Sequence, residues 1–255
     1  MGGVFRFPSY LFSNEFTMAN NKFEWCGYEW ESCMEGGRII HPKQPWMWYD
    51  SEMTTVDENG ILTLNAEKKP RDVKYWDGTI YHATYAVGTI RTTEGLGYGR
   101  YSCDIQLPDG NNCWPSFWLT GFKSWPPEID IMEAFQTNSS YFRLTIPQPP
   151  YLVPSWWTTN NVHFLDEDGG KEAIGSRGVS LCKQPHNPKK RFVNYTCEWV
   201  PGKVTFYVNG KKIRTATGIP NLTPQMRVVF DLWGEETNFK VTQPMKCKNF
   251  EYTPL

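Results

Sequence analysis

The run Glu128-Ile129-Asp130-Ile131-Met132-Glu133-Ala134-Phe135 places three carboxylates inside an apolar segment, bounded by Pro126-Pro127 and by Gln136-Thr137-Asn138. The isoleucines and flanking turn residues predict a strand. Burying charge in such a segment is costly unless the charges are paired, metal-bound or used. Side chains two apart share a face of a strand, so Glu128 and Asp130 stand together. Strict alternation would turn Glu133 away and aim Met132 at the site instead. One β-bulge returns Glu133 to the side of the other two, and bulges are frequent beside active sites. A lone Glu-x-Asp is commonly an edge-strand charge pattern. A third acid, with Trp114, Trp118 and Trp125 close by, argues for catalysis instead. Oxygen ligands would suit calcium or magnesium, but Ile and Met spacers do not make a calcium loop. Three acids on one face suit glycosidic bond cleavage, which needs a pair of carboxyl groups in complementary protonation states.

The rest of the chain reads as short alternating segments separated by turn signals, the pattern of a β-sandwich or jelly roll. Ile61–Ala66 follows the turn Glu58-Asn59-Gly60, and further segments fall at roughly 85–92, 98–107, 113–120 and 128–135. Asn209-Gly210, between Thr205–Val208 and Lys211–Ile213, predicts a two-residue hairpin turn of the I′ kind. With 19 Pro and 21 Gly spread along 255 residues, long helices are not expected. No linker or repeat divides the chain, so residues 1–255 are expected to form a single domain. Residues 20–50, with Trp25, Trp30, Trp46 and Trp48, read as irregular loops. Residues 147–190, with Trp156-Trp157 and the stretch from Lys171 to Lys190, read as an insertion. Both are candidates for rimming a cleft as substrate subsites.

Lys and Arg number 26 against 27 Asp and Glu, so no global field draws the chain to nucleic acid or a membrane. No apolar stretch reaches the roughly 20 residues of a transmembrane helix. The start, Met-Gly-Gly-Val-Phe-Arg-Phe-Pro, lacks the regions of a signal peptide. Aromatic residues make up 16% of the chain, a surplus expected where flat rings stack on sugars. Seven cysteines leave at least one unpaired, and no spacing suggests zinc. Cys103 and Cys113 would be close if their strands pair across the Pro108–Asn112 turn. Free buried thiols are the other reading, and the uneven spacing favours mostly reduced cysteines.

These motifs together resemble glycoside hydrolase family 16, the jelly-roll endo-β-glycanases. The resemblance rests on Glu128–Glu133, on Leu107-Pro108-Asp109-Gly110 leading into Trp114-Pro115-Ser116-Phe117-Trp118-Leu119, and on Gly88–Thr93 with Gly97–Tyr101. Tyr195–Lys203 with Tyr207–Gly210, and Asp231-Leu232-Trp233, extend it over most of residues 60–250. It implies an all-β sandwich of two curved antiparallel sheets with an open cleft on the concave face. It also implies a retaining double displacement, with Glu128 as nucleophile, Glu133 as general acid/base and Asp130 tuning the pair. Arg91 sits where related glucanases place a substrate-contacting arginine. His163 resembles a strand histidine near the acid/base. Asp231 and Trp233 occupy cleft positions, Asp231 where Asn is common. Trp114 and Trp118 share strand parity, so both face the cleft or both face the core; with Trp125 they are candidates for sugar stacking.

The expected activity is endo-hydrolysis of a linear polysaccharide, a β-1,3- or mixed β-1,3/1,4-glucan. A galactan of the agar, porphyran or carrageenan type, or a host surface glycan, is the alternative. A sulfated chain would call for a basic groove, and the one notable basic cluster is Lys183, Lys189, Lys190 and Arg191, also readable as a solvated loop. Transglycosylation shares this chemistry, and a non-catalytic carbohydrate-binding protein shares the fold. No cofactor is required; the resemblance admits a structural calcium, with Glu15 and Glu251 near the corresponding chain ends. The protein is expected to be a monomer that meets its polysaccharide outside the cell or in the periplasm, or on a particle. Sequons at Asn138, Asn194 and Asn221 carry weight only in a glycosylating host.

Overall fold

Alternation shapes the strands. In Val193–Val200 the side chains of Val193, Tyr195, Cys197 and Trp199 are buried while Asn194 and Glu198 reach outward. Gly99–Gln106 and Cys113–Gly121 follow the same period of two. The computed structural model describes residues 22–32, 39–41, 44–75, 77–122, 124–136, 156–174, 182–183, 188–220, 222, 225–235 and 238–255. Among these the structure is nearly all strand, with one 3-10 turn at Ser51–Met53. No helix among the described residues is long and apolar enough to cross a membrane.

Two large sheets face one another. One runs Lys22–Trp25, Tyr28–Ser32, Thr89–Thr92, Met226–Gly234, Cys113–Gly121, Glu128–Gln136, Trp156–Leu165 and Lys171–Ile174, with Cys182–Lys183 also on Trp156–Leu165. The other runs Lys211–Thr217, Lys203–Val208, Val193–Val200, Gly99–Gln106, Met245–Pro254, Leu62–Leu64 and Thr54–Val56. Their inward faces share one apolar core. Phe117 and Phe230 stack at 4.4 Å on the first sheet, and both meet Phe250 of the second edge-on. Each such buried ring contributes about 1.5–3 kcal/mol. A smaller four-stranded sheet holds the one parallel pairing among the described strands, Gln44–Tyr49 with Ile80–Val87.

Several expectations are corrected here. Residues 22–32 are a hairpin, not a loop: Trp25 pairs with Tyr28 across Cys26-Gly27, both at positive φ, while Phe23, Trp25, Tyr28 and Trp30 alternate with polar residues. Gln44–Tyr49 is also a strand. The segment expected at 85–92 is two strands in different sheets, parted at Gly88, where a Cβ would lie 2.4 Å from the Met53 carbonyl oxygen. Cys103 and Cys113 lie on different sheets, because the chain crosses between them at 107–112. Their thiols donate separately, to the carbonyls of Lys248 at 3.3 Å and Lys240 at 3.5 Å. Cys26, Cys103, Cys113, Cys197 and Cys247 are all free thiols. The Asn209-Gly210 turn joins its two strands as expected, with φ of 48° and 73°.

Part of the 147–190 insertion is strand, Trp156–Leu165 with Lys171–Ile174. The side chains of Trp156, Trp157 and Lys183, and residues Glu15, Asn138 and Asn221, lie outside the described residues. In the basic cluster Lys189 pairs with Asp109 at 2.7 Å. The Asn194 amide donates to Ser102 and Asp104.

Candidate active site

The register of the larger sheet lays out the site in three cross-strand rows. Thr89, Asp231, Ser116, Glu133 and Thr159 form the first. Arg91, Val229, Trp118, Asp130 and Asn161 form the second. Arg227, Thr120, Glu128, His163 and Ala173 form the third. Glu133 joins this face because the register shifts between Asp130 and Glu133 on both neighbours: Ile131 and Met132 are both buried in the core, two residues against one.

Hydrogen bonds fix each acid. Glu128 accepts from Trp125 Nε1 at 2.9 Å and lies 3.5 Å from His163 Nε2, which is 3.4 Å from Asp130. Glu133 accepts from Trp114 Nε1 at 3.0 Å, Asn161 Nδ2 at 2.8 Å and Thr159 Oγ1 at 3.2 Å. Asp231 accepts from Trp118 Nε1 at 2.9 Å, and its Oδ1 is buried with no partner among the described residues. Trp114 and Trp118 therefore both stand on the face of the acids. Trp125 is 47% exposed beside Glu128, with Lys171 Nζ 4.5 Å from its ring centre. Trp233 packs against Trp114 at one end of the site.

Arg91 is not brought to the acids. Three strand spacings, about 14 Å, separate it from Asp130, and its Nε donates to Glu31, which also has Arg227 Nη1 at 3.6 Å. Sequence reasoning missed Thr159 and Asn161, the donors to Glu133. Their shared parity with His163 in Thr158-Thr159-Asn160-Asn161-Val162-His163 was the available signal.

Crowded burial raises every acid of the cluster. Glu128 is pushed up to about 8, by burial first and the Asp130 charge second, with His163 pulling it back. Burial and then the Glu133 charge hold Asp130 well above the carboxylate range. Glu133 is raised by burial, against the opposing pull of its three donors and His163. Asp231 rises to about 8, chiefly through burial. Protons are thus shared over one cluster, which titrates as a unit.

One atom each from Glu128, Asp130 and His163 lie within 4.8 Å of one another. A nitrogen in that set suits a transition metal better than calcium. Glu251 joins no group of three Asp, Glu, His or Cys side chains among the described residues, and Glu15 lies outside those residues.

The family model for glycosyl hydrolases family 16 matches residues 41–246. The chain belongs to this family. A galactan endo-β-1,3-galactanase of Flammulina velutipes is 31% identical over 139 residues, 53% of this chain and 51% of that protein. A β-glucanase of Brevibacillus brevis is 25% identical over 73% of this chain and 59% of its own length. The matches span from 16% to 59% of the curated relatives' length. A family 16 enzyme of the Bacteroides ovatus mixed-linkage glucan locus, solved with a G4G4G3G product, superposes with a TM-score of 0.65. It shares 19% identity, over 92% of this chain and 98% of that one. Glycoside hydrolase family 16 thus supplies both the sequence match and the all-β fold.

Proposed function

We propose that the chain is one catalytic domain, an endo-acting retaining β-glycanase that prefers a β-1,3- or mixed β-1,3/1,4-glucan. The observation that carries this reading is the bulge at Ile131–Met132, which gathers Glu128, Asp130 and Glu133 on one face. Glu128 as carboxylate attacks the anomeric carbon. The bond to the leaving oxygen breaks as Glu133 gives that oxygen its proton. Water then attacks the same carbon, giving a proton back to Glu133 and releasing Glu128. Burial raises both acids, Glu128 as well as Glu133. The reactive form is therefore the one in which the shared proton sits on Glu133 and Glu128 is ionised. The three donors to Glu133 favour the anion it needs as base. Asp130 and His163 modulate the charge on the pair. Trp125 and its indole neighbours offer ring faces to sugars, and Arg91 belongs to a remote subsite. The enzyme meets its polymer outside the cell.

The Flammulina velutipes relative favours a second substrate reading, an endo-β-galactanase. Reducing ends released from laminarin, lichenan, agarose, porphyran and carrageenan, with Glu128→Gln as control, decide between them. Release from the two glucans alone is expected. Release from a galactan alone would transfer the assignment to the second reading; binding without release would point to a carbohydrate-binding protein.

His163 lowers both Glu128 and Glu133. Activity needs Glu128 ionised and Glu133 protonated, so these groups set the acid and basic limbs of kcat/KM. In His163→Gln both limbs move to higher pH, by on the order of one unit. An unmoved profile would remove His163 from the charge balance.

A further inference from the structure

We propose that Asn160 is a positioning residue for Glu133, holding open the bulge that turns this acid into the site. The inference rests on Glu133 being the acid/base. Asp130 pairs with Asn161 and Glu133 with Thr159, so Ile131 and Met132 both stand against Asn160. A bulge disrupts the ladder locally and leaves its extra residue unpaired. The Asn160 side chain supplies a bond there: its Nδ2 donates to the Ile131 carbonyl at 2.5 Å. The acceptor is a carbonyl, so the amide nitrogen must face it.

The position of this amide is unusual for a polar group. Thr159 and Asn161, on either side, reach Glu133 on the site face, whereas Asn160 is 1% exposed in the strand between them. A buried polar atom left unbonded costs about 1–3 kcal/mol. The Nδ2 of Asn160 is bonded, while its Oδ1 is buried with no partner among the described residues. Arg214, from the edge strand Lys211–Thr217 of the opposite sheet, donates Nη1 to the Asn160 carbonyl. The residue facing the bulge is therefore held by its side chain to the acid strand and by its backbone to the other sheet.

The consequence falls on Glu133 because of the period of two. A strand that loses its bulge slips by one residue, and every later side chain changes face. Met132 would then face the site and Glu133 the core. Glu128 and Asp130 precede the bulge and keep their places. Asn160 thus bears on acid assistance far more than on nucleophilic attack, which a merely structural residue would not do.

That asymmetry supplies the test. Departure of 2,4-dinitrophenolate needs no proton, whereas departure of a sugar does. The polysaccharide that the enzyme cleaves is compared with the dinitrophenyl β-glycoside of its product oligosaccharide, for Asn160→Leu and, as reference, Glu133→Ala. Asn160→Leu is expected to lose roughly 10²-fold in kcat/KM on the polysaccharide, nearly all in kcat. On the dinitrophenyl glycoside it loses less than about 3-fold in kcat/KM, which also shows that the variant is folded. Asn160→Ser keeps a donor on a shorter arm and serves if leucine prevents folding; a smaller loss with the same split is expected. Equal losses on both substrates, or no loss on the polysaccharide, overturn the proposal. If Glu133→Ala itself loses equally on both, the acid/base reading fails instead.

Discussion

Glu128→Ala and Glu133→Ala each lose on the order of 10⁴-fold or more in kcat on the polysaccharide, yet azide restores them differently. Without Glu128, azide attacks the anomeric carbon from the vacated side while Glu133 still protonates the leaving sugar. The product is a glycosyl azide of inverted configuration. Without Glu133 the glycosyl-enzyme still forms on Glu128 from a substrate with a good leaving group. Azide needs no base, so it opens that intermediate with a second inversion, and the product keeps the β configuration. The anomeric coupling constant of the isolated azide reads the role of each carboxylate directly. The same anomer from both variants, or substantial activity in either, would sink the assignment of Glu128 and Glu133. The crowding of acids makes loss of fold a poor explanation for inactivity, since each substitution removes a charge that burial disfavours.

Asp231→Asn is expected to stabilise the protein, and more so as pH rises. Its carboxyl stands at about 8 in the folded protein, against 3.8 as its ordinary value. Between those values the folded state binds more protons than the unfolded state, so stability falls as pH rises through this window. Below about pH 4 both states are protonated and the substitution gains nothing. Near pH 8 the gain is largest, on the order of several kcal/mol by linkage across this window, and Tm rises by on the order of 10–20 °C. Asparagine keeps an oxygen to accept from Trp118 Nε1, so the indole anchor is retained. Thermal unfolding of both proteins at pH 4.5, 6 and 8 checks this. A gain that stays constant with pH, or a loss at pH 8, would show that Asp231 is not held protonated by its burial.

Local signals account for what could be read along the chain. The Asn209-Gly210 turn depends on two backbone angles, and the alternation of Gly99–Gln106 or Val193–Val200 on pleating alone, so both were legible. The hairpin at Cys26-Gly27 obeys the same rules, but its turn pair is uncommon and the dense tryptophans suggested loops. Whether Cys103 and Cys113 come close could not be read along the chain, because ten residues suffice both for a hairpin and for a crossing between sheets. Only the pairing partners, Met245–Pro254 for one strand and Met226–Gly234 for the other, distinguish the two. The reading as reduced thiols agrees with the five free cysteines among the described residues.

The sequence by itself determined the all-β class, the acid strand and the need for a bulge within it, because strand period and turn conformation are properties of a few adjacent residues. The tertiary structure decided which groups complete the site. Thr159 and Asn161 reach Glu133 from more than twenty-five residues away, and Trp118 reaches Asp231 across 113. Arg91 is held by Glu31, some 14 Å from the acids rather than among them. Such contacts depend on strand order and register, which are set by how two sheets bury their apolar faces against each other.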